Sequence, residues 1–304
     1  MPRPDFKSAA LSALLLVSAS AGSQSPEGMP ATVEAQQLEP GIHLLSGAGC
    51  NILVWSGSEG TVLVDTGTAA ASEALRAVLA EIAPDSSTRF VVSTHWHPDH
   101  TGGNLALARS GAVVVAHENT RARMSAPQEL GEYGTRVPAA SKGALPVVTF
   151  ADTLTLSVNG GRLTLLHMPE AHTDGDAIAW LSEANVAHLG DLYYAGEFPF
   201  IDTAHGGSLA GVVAAIEAVL ARANARTAIV PGHGPVGTRA DLVAYRDMLV
   251  AVGTRVRELV EQGASLAETV EAKPTADWDE RYGAGAVSPE RFARILYEDL
   301  TSRR

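Results

Sequence analysis

Four side chains that can bind a metal ion occur within six residues, in the run His95-Trp96-His97-Pro98-Asp99-His100. Imidazole nitrogens and carboxylate oxygens are ligands that zinc accepts readily. If such a cluster is buried without a cation, its polar atoms lose their hydrogen bonds with water at a large cost. The alternative interpretation is a solvated, histidine-rich loop. We favour a metal site, and the small residues of Thr101-Gly102-Gly103-Asn104 would let the backbone approach it closely.

A short apolar segment at residues 90–93 precedes the run and predicts a buried strand. Side chains alternate along a strand, so we expect His95 and His97 on one face at the strand's end. Pro98 is expected to stop the strand and to begin a tight turn.

Strand-like and helix-like segments alternate through the rest of the chain. Short apolar runs broken by glycine and serine predict strands at residues 42–45, 51–55, 61–64, 112–116, 153–158, 162–167, 178–181, 186–189 and 227–230. Helical spacing of apolar residues predicts helices at residues 69–82, 209–220, 241–260 and 289–300. Strands followed by helices, twice over, predict two packed sheets with helices outside. We expect one domain of two halves over residues 22–304.

The order of several motifs resembles the metallo-β-lactamase-fold hydrolases over roughly residues 42–233. The His-x-His-x-Asp-His signature is preceded by Asp65 in an Asp-Thr-Gly motif. It is followed by His172 in His-Thr-Asp-Gly-Asp, by Asp191 in Leu-Gly-Asp, and by His233 in Pro-Gly-His-Gly. This resemblance implies a four-layer αββα sandwich of the α/β (α+β) class, with metals in a cleft at one edge of the sheets.

The resemblance also implies two zinc ions. The first would be held by His95, His97 and His172, the second by Asp99, His100 and His233, and Asp191 would bridge them. Two zinc ions would lower the pKa of a shared water towards neutral and so generate hydroxide for hydrolysis. The same donors suit iron or manganese, but zinc is preferred for an exported protein.

Three residues are given roles besides the binding of the metals, and one of these roles stays open. Asp99 would orient the nucleophile and pass a proton to the leaving group. Tyr194 is a catalytic candidate because its spacing from Asp191 resembles that in lactonases of the fold, although packing explains it equally well. Asp65 is expected to hold a ligand loop by hydrogen bonds.

The bond that is cleaved stays open between subgroups of this fold. The only cysteine, Cys50, lies far from the position of the second-zinc ligand in the best-known β-lactamases. Asp191 resembles the bridge of thioester and lactone hydrolases, so we expect cleavage of an ester, thioester, lactone or amide. The alternatives are a dedicated β-lactamase with an Asp-His-His second-zinc site, and a non-catalytic metal-binding protein. Sulfatases and phosphodiesterases of the fold are less favoured.

Composition and charge restrict the partners. The 304 residues are 46% hydrophobic and carry a formal net charge of −12 without a basic cluster. Nucleic acids and anionic membrane surfaces select basic patches, so we expect a small-molecule substrate instead. A single cysteine excludes an internal disulfide, and we expect Cys50 to be a buried thiol without catalytic role. No pattern in the sequence indicates an oligomeric state.

The first 21 residues predict a signal peptide. Arg3 and Lys7 precede an apolar stretch at residues 9–17, and Ala19-Ser20-Ala21 forms a cleavage motif. The apolar stretch is too short for a permanent membrane-spanning helix. We therefore expect a periplasmic or secreted protein without a stable membrane anchor.

Overall fold

The computed structural model describes residues 32–130 and 134–302. The predicted signal peptide lies outside them. The strands are β1 (Glu34–Glu39), β2 (Ile42–Ser46), β3 (Ile52–Gly57), β4 (Gly60–Val64), β5 (Thr88–Val92), β6 (Val113–His117), β7 (Gln128–Leu130), β8 (Thr135–Val137), β9 (Val148–Phe150), β10 (Thr153–Val158), β11 (Gly161–His167), β12 (Ala177–Leu181), β13 (Val186–His188) and β14 (Ala228–Val230). The helices are α1 (Ser72–Ile82), α2 (Pro98–Thr101), α3 (Asn104–Arg109), α4 (Glu118–Met124), α5 (Leu209–Arg222), α6 (Arg239–Glu261), α7 (Leu266–Glu271), α8 (Asp279–Tyr282) and α9 (Pro289–Ser302).

Two mixed sheets form the centre of the molecule. The larger has the order β1-β2-β3-β4-β5-β6-β9, antiparallel as far as β4 and parallel from β4 to β9. The smaller has the order β10-β11-β12-β13-β14, and only its last pair is parallel. The hairpin β7-β8 forms a separate two-stranded sheet.

The sheets pack face to face and helices cover their outer faces. The core between the sheets contains residues of strands β2 through β6 and β9 from the larger sheet, and of β10 through β14 from the smaller sheet. Leu53 and Val115, for example, belong to the same cluster as Leu165 and Ala179. A second core packs α5, α6 and α9 on the smaller sheet, and a third packs α1 and α3 on the larger sheet. These four layers confirm the predicted αββα sandwich.

Local sequence explains several element boundaries. At the predicted hairpin between β10 and β11, Asn159 and Gly160 have φ angles of 52° and 73°, which the left-handed turn requires. Helix α6 begins with a capping box, in which the Thr238 hydroxyl accepts from the Asp241 amide and the Asp241 carboxylate accepts from the Thr238 amide. No helix among the described residues is long and apolar enough to cross a membrane.

Candidate metal centre

All seven predicted ligands lie in segments outside the strands, at one edge of the sandwich. The expectation that β5 extends to the His run is wrong, because β5 ends at Val92. His95 and His97 lie in the loop beyond it. Pro98 does not start a simple turn but occupies the first position of α2, where its missing N–H costs nothing.

Three imidazole nitrogens face one another in a first cluster, formed by His95, His97 and His172. Nε2 of His95 and Nε2 of His172 each lie 3.0 Å from Nδ1 of His97. Three ligands of one tetrahedral zinc ion are about 3.3 Å apart, given Zn–N distances near 2.05 Å. All three side chains are almost completely buried. The cluster therefore has the dimensions of a site for one ion.

The outer nitrogens of this cluster fix which ring nitrogen carries the proton. Nε2 of His97 lies 3.0 Å from a carboxylate oxygen of Asp202, and Nδ1 of His172 lies 2.9 Å from the Phe200 carbonyl oxygen. Both outer partners accept hydrogen bonds only, so the outer nitrogens must donate. A neutral ring then leaves a lone pair on the inward nitrogen, which suits a cation.

Asp65 fixes His95 and His100 in the same way. Oδ2 of Asp65 lies 2.7 Å from Nδ1 of His100, which leaves Nε2 of that ring pointing inward. The Thr94 hydroxyl donates to Oδ2 of Asp65 at 2.9 Å and so can only accept from Nδ1 of His95, 3.0 Å away. The expectation that Asp65 holds a ligand loop agrees with these contacts. Asp65 itself has a φ of 65°, a conformation that aspartate tolerates.

A second cluster consists of Asp99, His100 and His233. Oδ2 of Asp99 lies 3.5 Å from Nε2 of His100 and 3.4 Å from Nε2 of His233. The side chains of Asp99 and His233 are 34% and 26% exposed, whereas His100 is fully buried. This cluster therefore opens to solvent on one side, unlike the first.

Asp191 lies between the two clusters and turns one oxygen toward each. Oδ2 lies 3.8 Å from Nε2 of His95 and 3.7 Å from Nε2 of His172. Oδ1 lies 3.0 Å from Nε2 of His100 and 3.4 Å from Nε2 of His233. A carboxylate in this position can bridge two ions.

Glycine is required beside the bridging carboxylate. A Cβ atom on Gly232 would lie 2.0 Å from Oδ1 of Asp191, so any other residue there would displace the carboxylate. The Pro-Gly-His-Gly motif thus supplies both a candidate ligand, His233, and the space that Asp191 needs.

Two inward atoms, Nε2 of His100 and Oδ1 of Asp191, form no hydrogen bond with any of the described residues. They lie 3.0 Å apart but are not aligned for a hydrogen bond, and such buried groups are costly unless an ion or a water satisfies them. Together with the inward lone pairs of the first cluster, these unpaired atoms fit metal ions. Imidazole with carboxylate suits zinc, and also iron or manganese.

The two clusters differ in their affinity for protons. Burial lowers the pKa of His172 to about 4 and holds that of His95 well below its usual value, so both rings are neutral at pH 7. Burial opposes protonation of His233 as well, but the Asp191 and Asp99 carboxylates outweigh it and raise the pKa to about 10. The pKa of His100 is also raised against the effect of burial, by the acidic groups around it.

Both carboxylates of the centre are ionised at neutral pH. Burial favours the neutral acid, but His100 and His233 outweigh it and lower the pKa of Asp99 to about 2. The same two histidines hold the pKa of Asp191 well below its usual value. Each carboxylate can therefore bind a cation without losing a proton first.

Tyr194 contacts the bridging carboxylate directly. Its hydroxyl donates to Oδ2 of Asp191 at 2.5 Å, and its ring stacks on His233 with the centroids 5.2 Å apart. Tyr193 instead packs against Tyr245 at a centroid distance of 5.0 Å, away from the clusters. Of the two tyrosines, only Tyr194 has a position from which it could assist a reaction.

Sequence reasoning missed Asp202. Asp202 is buried and contacts His97, and it also lies 2.7 Å from Nδ1 of His205. His205 is buried against Trp96, with ring centroids 4.8 Å apart. No signal in the sequence marked Asp202 as a partner of a residue 105 positions away.

Cys50 lies closer to the centre than its sequence position suggested. Ligand atoms of Cys50, Asp65 and His100 all lie within 4.8 Å of one another. Burial raises the pKa of the Cys50 thiol to about 12, against the opposing effect of His100. A protonated, buried thiol agrees with the expected non-catalytic role.

A cleft of about 450 Å³ opens above both clusters. Candidate ligands from both clusters line its base, together with Tyr194. Its walls come from five separate segments, and their lining residues are Thr68, Pro98, Leu130, Thr135, Glu197, Phe198, Phe200, Ala286 and Val287. This volume lies within the range of small-molecule sites.

The chain belongs to the metallo-beta-lactamase superfamily, whose family profile matches residues 47–233. The matched region contains every candidate ligand. The relatives described below are hydrolases. Members of this family typically bind metal ions, and the buried His/Asp clusters of the chain agree with such sites.

Three curated relatives illustrate the range of the family. The chain is 24% identical over 161 residues to a metallo-beta-lactamase type 2 of Bacteroides fragilis, covering 52% of this chain and 58% of the relative. It is 26% identical over 254 residues to a linear primary-alkylsulfatase of Pseudomonas sp., covering 70% and 48%. It is 32% identical over 103 residues to a hydroxyacylglutathione hydrolase of Erythrobacter litoralis, covering 34% and 33%. The chain thus spans at most 58% of these relatives' lengths.

Solved structures show the same fold. A metallo-beta-lactamase from Pontibacter korlensis superposes with a TM-score of 0.56 at 24% identity, covering 72% of this chain and 99% of the other. A sec-alkylsulfatase from Pseudomonas sp. superposes with a TM-score of 0.66 at 19% identity, covering 88% and 50%. At these identities the likeness concerns the fold alone.

Proposed function

We propose that this protein is an exported, two-zinc hydrolase that opens a carbonyl bond of a small molecule, such as an ester, thioester, lactone or amide. The observation that carries the proposal is the position of Asp191, with one carboxylate oxygen toward each cluster of candidate ligands. The clusters lie at the base of a cleft that a small molecule can enter. Export rests on the sequence of residues 1–21.

Zinc at these two clusters would supply Lewis acidity toward a water and toward the substrate carbonyl. His95, His97 and His172 would hold one ion, Asp99, His100 and His233 the other, and Asp191 both. The acceptors behind the rings, above all Asp202 and Asp65, hold each inward nitrogen in place before substrate arrives.

Asp99 has the properties of a proton acceptor and carrier. Its carboxylate is ionised at neutral pH and reaches the cleft, with about a third of its side chain exposed. It can therefore orient an attacking water, accept a proton from it, and pass the proton to the leaving group.

Tyr194 would act on the carbonyl oxygen as the oxyanion develops. Its hydroxyl lies at the base of the cleft but is engaged with Asp191, so this role requires it to turn toward the substrate. Tyr194→Phe is expected to lower kcat more than it raises KM. An unchanged kcat would assign the residue to packing.

The test begins with zinc content and continues with four substrates. Bound zinc per chain is measured first, and then hydrolysis of a chromogenic cephalosporin, a lactone, a thioester and an aryl ester. Each rate is recorded with chelator and again after zinc is restored. We expect two zinc ions and chelator-sensitive turnover of at least one ester, thioester or lactone.

Three results would redirect the assignment. Turnover of the cephalosporin alone would make the protein a dedicated β-lactamase. Two bound zinc ions without turnover of any substrate would support a non-catalytic metal-binding protein. Turnover that is insensitive to complete metal removal would contradict the proposal outright.

Sulfate-ester cleavage is a second candidate because of a specific comparison. The matches to alkylsulfatases extend over 70% of this chain in sequence and 88% in structure, further than the other matches described above. An alkyl sulfate added to the substrate set tests this candidate.

A further inference from the structure

The walls of the cleft are apolar and carry no lysine or arginine among the described residues. Leu130, Phe198, Phe200 and Val287 are among the residues that line it. The ionisable groups that line the cleft are the candidate metal ligands, Tyr194 and one further acid, Glu197. Beyond the metal centre, a substrate thus meets hydrocarbon and a negative charge.

The arginine of the hairpin β7-β8, Arg136, is turned away from the cleft. Leu130 pairs directly with Thr135 in the strand register, and both line the cleft. Their neighbours Glu129 and Arg136 also pair, and they project from the opposite face because side chains alternate along a strand. Arg136 lies 3.4 Å from Glu129 and is 70% exposed.

A second arginine lies behind the wall. The guanidinium of Arg291 is 5.8 Å from the centroid of the Phe200 ring, but Arg291 is not among the lining residues. Phe200 presents the cleft with an aromatic surface instead of a cation.

Glu197 is held at the wall by the loop before α9. The amide of Ala286 donates to Oε2 of Glu197 at 3.4 Å, and a Cβ atom on Gly285 would lie 2.3 Å from the same oxygen. The carboxylate thus lies against Gly285, where a larger residue would have to push the Glu197 side chain aside. A carboxylate at a cleft of low polarity repels anions that approach it.

We propose that the cleft selects an uncharged, largely apolar group next to the scissile carbonyl and rejects one that carries a carboxylate or sulfate there. This inference rests on the proposed hydrolase function and names its substrate class. Metal ions held by the two clusters would attract negative charge at the base of the cleft, but they would not supply a partner for an anion at the walls. Carboxylated β-lactams are therefore expected to be poor substrates.

A matched pair of esters tests this selection. p-Nitrophenyl valerate and the p-nitrophenyl monoester of glutaric acid differ only in a terminal methyl group against a carboxylate. With the zinc-loaded protein we expect kcat/KM for the valerate to exceed that for the glutarate at least tenfold. Equal rates, or a preference for the glutarate, would overturn the proposal.

Variants assign the effect to Glu197. Glu197→Gln is expected to raise kcat/KM for the glutarate ester severalfold and so to narrow the ratio, and Glu197→Lys is expected to narrow it further. Glu280→Gln removes the same charge from an exposed acid on α8 outside the cleft, and should leave the ratio unchanged. A ratio that Glu280→Gln changes as much as Glu197→Gln does would refute a local role.

Binding without turnover separates this inference from the function it rests on. The matched amides N-phenylvaleramide and N-phenylglutaramic acid are titrated into the zinc-loaded full chain and followed by ligand-observed NMR. Tighter binding of the neutral amide supports the selection even if no ester is cleaved, in which case the hydrolase proposal alone fails. Equal or tighter binding of the carboxylated amide contradicts the selection.

Discussion

The two clusters that share Asp191 differ in composition, burial and charge. The first consists of three buried imidazoles, whereas the second contains the Asp99 carboxylate and the partly exposed His233. His172 is neutral at pH 7, but His233 and His100 retain their protons in the metal-free chain. The first cluster is thus prepared to bind a cation directly, and the second must first release protons. From this difference we expect the closed cluster to anchor its ion, and the ion of the open cluster to face water and substrate.

The largest effect is expected where the two clusters meet. Asp191→Ala removes the oxygen that faces each cluster, including the one that lies 3.0 Å from Nε2 of His100. We expect both ions to bind weakly and activity to fall by more than the ~100-fold that outer partners of metal ligands contribute. Zinc content by atomic absorption and hydrolysis rates measure this together. Two tightly bound ions and a normal rate in this variant would show that Asp191 is no bridge.

Single-ligand variants separate the clusters. His100→Ala should empty mainly the second cluster and leave about one zinc per chain, because His95, His97 and His172 remain intact. His172→Ala should empty mainly the first cluster. Equilibrium dialysis measures the stoichiometry, and cobalt spectra distinguish the all-imidazole first site from the carboxylate-containing second. If His100→Ala empties the first cluster instead, the pairing of ligands is wrong.

Outer partners should act on one cluster more than the other. The Asp202 carboxylate contacts His97 and the Asp202 amide donates to the His172 carbonyl, both in the first cluster, so Asp202→Asn is expected to weaken zinc binding there by about 10- to 100-fold. Asp65→Asn should weaken the second cluster comparably through His100. Asp152→Asn, an exposed aspartate on the surface, is the matched control. Equal loss at both clusters in the Asp202 variant would deny the separation.

The smallest expected effect is a difference between the two clusters in the number of protons released when zinc binds, and it reports their chemistry most directly. At pH 7 zinc binding at the second cluster should release up to about two protons, because the pKa of His233 is about 10 and that of His100 is raised. His95 and His172 are already neutral and release none. Zinc affinity of the second cluster should therefore rise as the pH increases toward 10. Calorimetry in buffers of different ionisation enthalpy measures the protons, with His100→Ala reporting the first cluster alone.

The contradicting result would be observed at the first cluster. If zinc binding there releases as many protons as zinc binding at the second cluster does, then the two clusters do not differ in protonation. The contrast described above would then be lost, although the positions of the ligands would stand.

Much of the fold was predictable because apolar periodicity records burial. Helix α9 (Pro289–Ser302) and the hairpin β10-β11 lie within two residues of the predicted bounds. Strand β1 was missed because its sequence, Glu-Ala-Gln-Gln-Leu-Glu, is polar and mostly exposed at the edge of a sheet. The short strands β7 and β8 lack an apolar pattern for the same reason.

The candidate site, like the fold, was predictable only in part. Motifs brought the seven candidate ligands to notice because ligand chemistry restricts residue type. Asp202 and Glu197 were not predicted as parts of the site, since their roles depend on contacts with residues about 90 to 105 positions away. Such contacts arise from the packing of loops, which one sequence does not encode locally. The composition of the cleft is therefore a result of the structure alone.

Anomalous diffraction at the zinc edge from crystals of the zinc-loaded protein tests the central claim most directly. We expect two peaks, one bounded by Nε2 of His95, Nδ1 of His97 and Nε2 of His172, the other by Asp99, His100 and His233. The carboxylate of Asp191 should contact both peaks, one oxygen to each. A single peak, or two peaks with Asp191 bound to only one, would contradict the account.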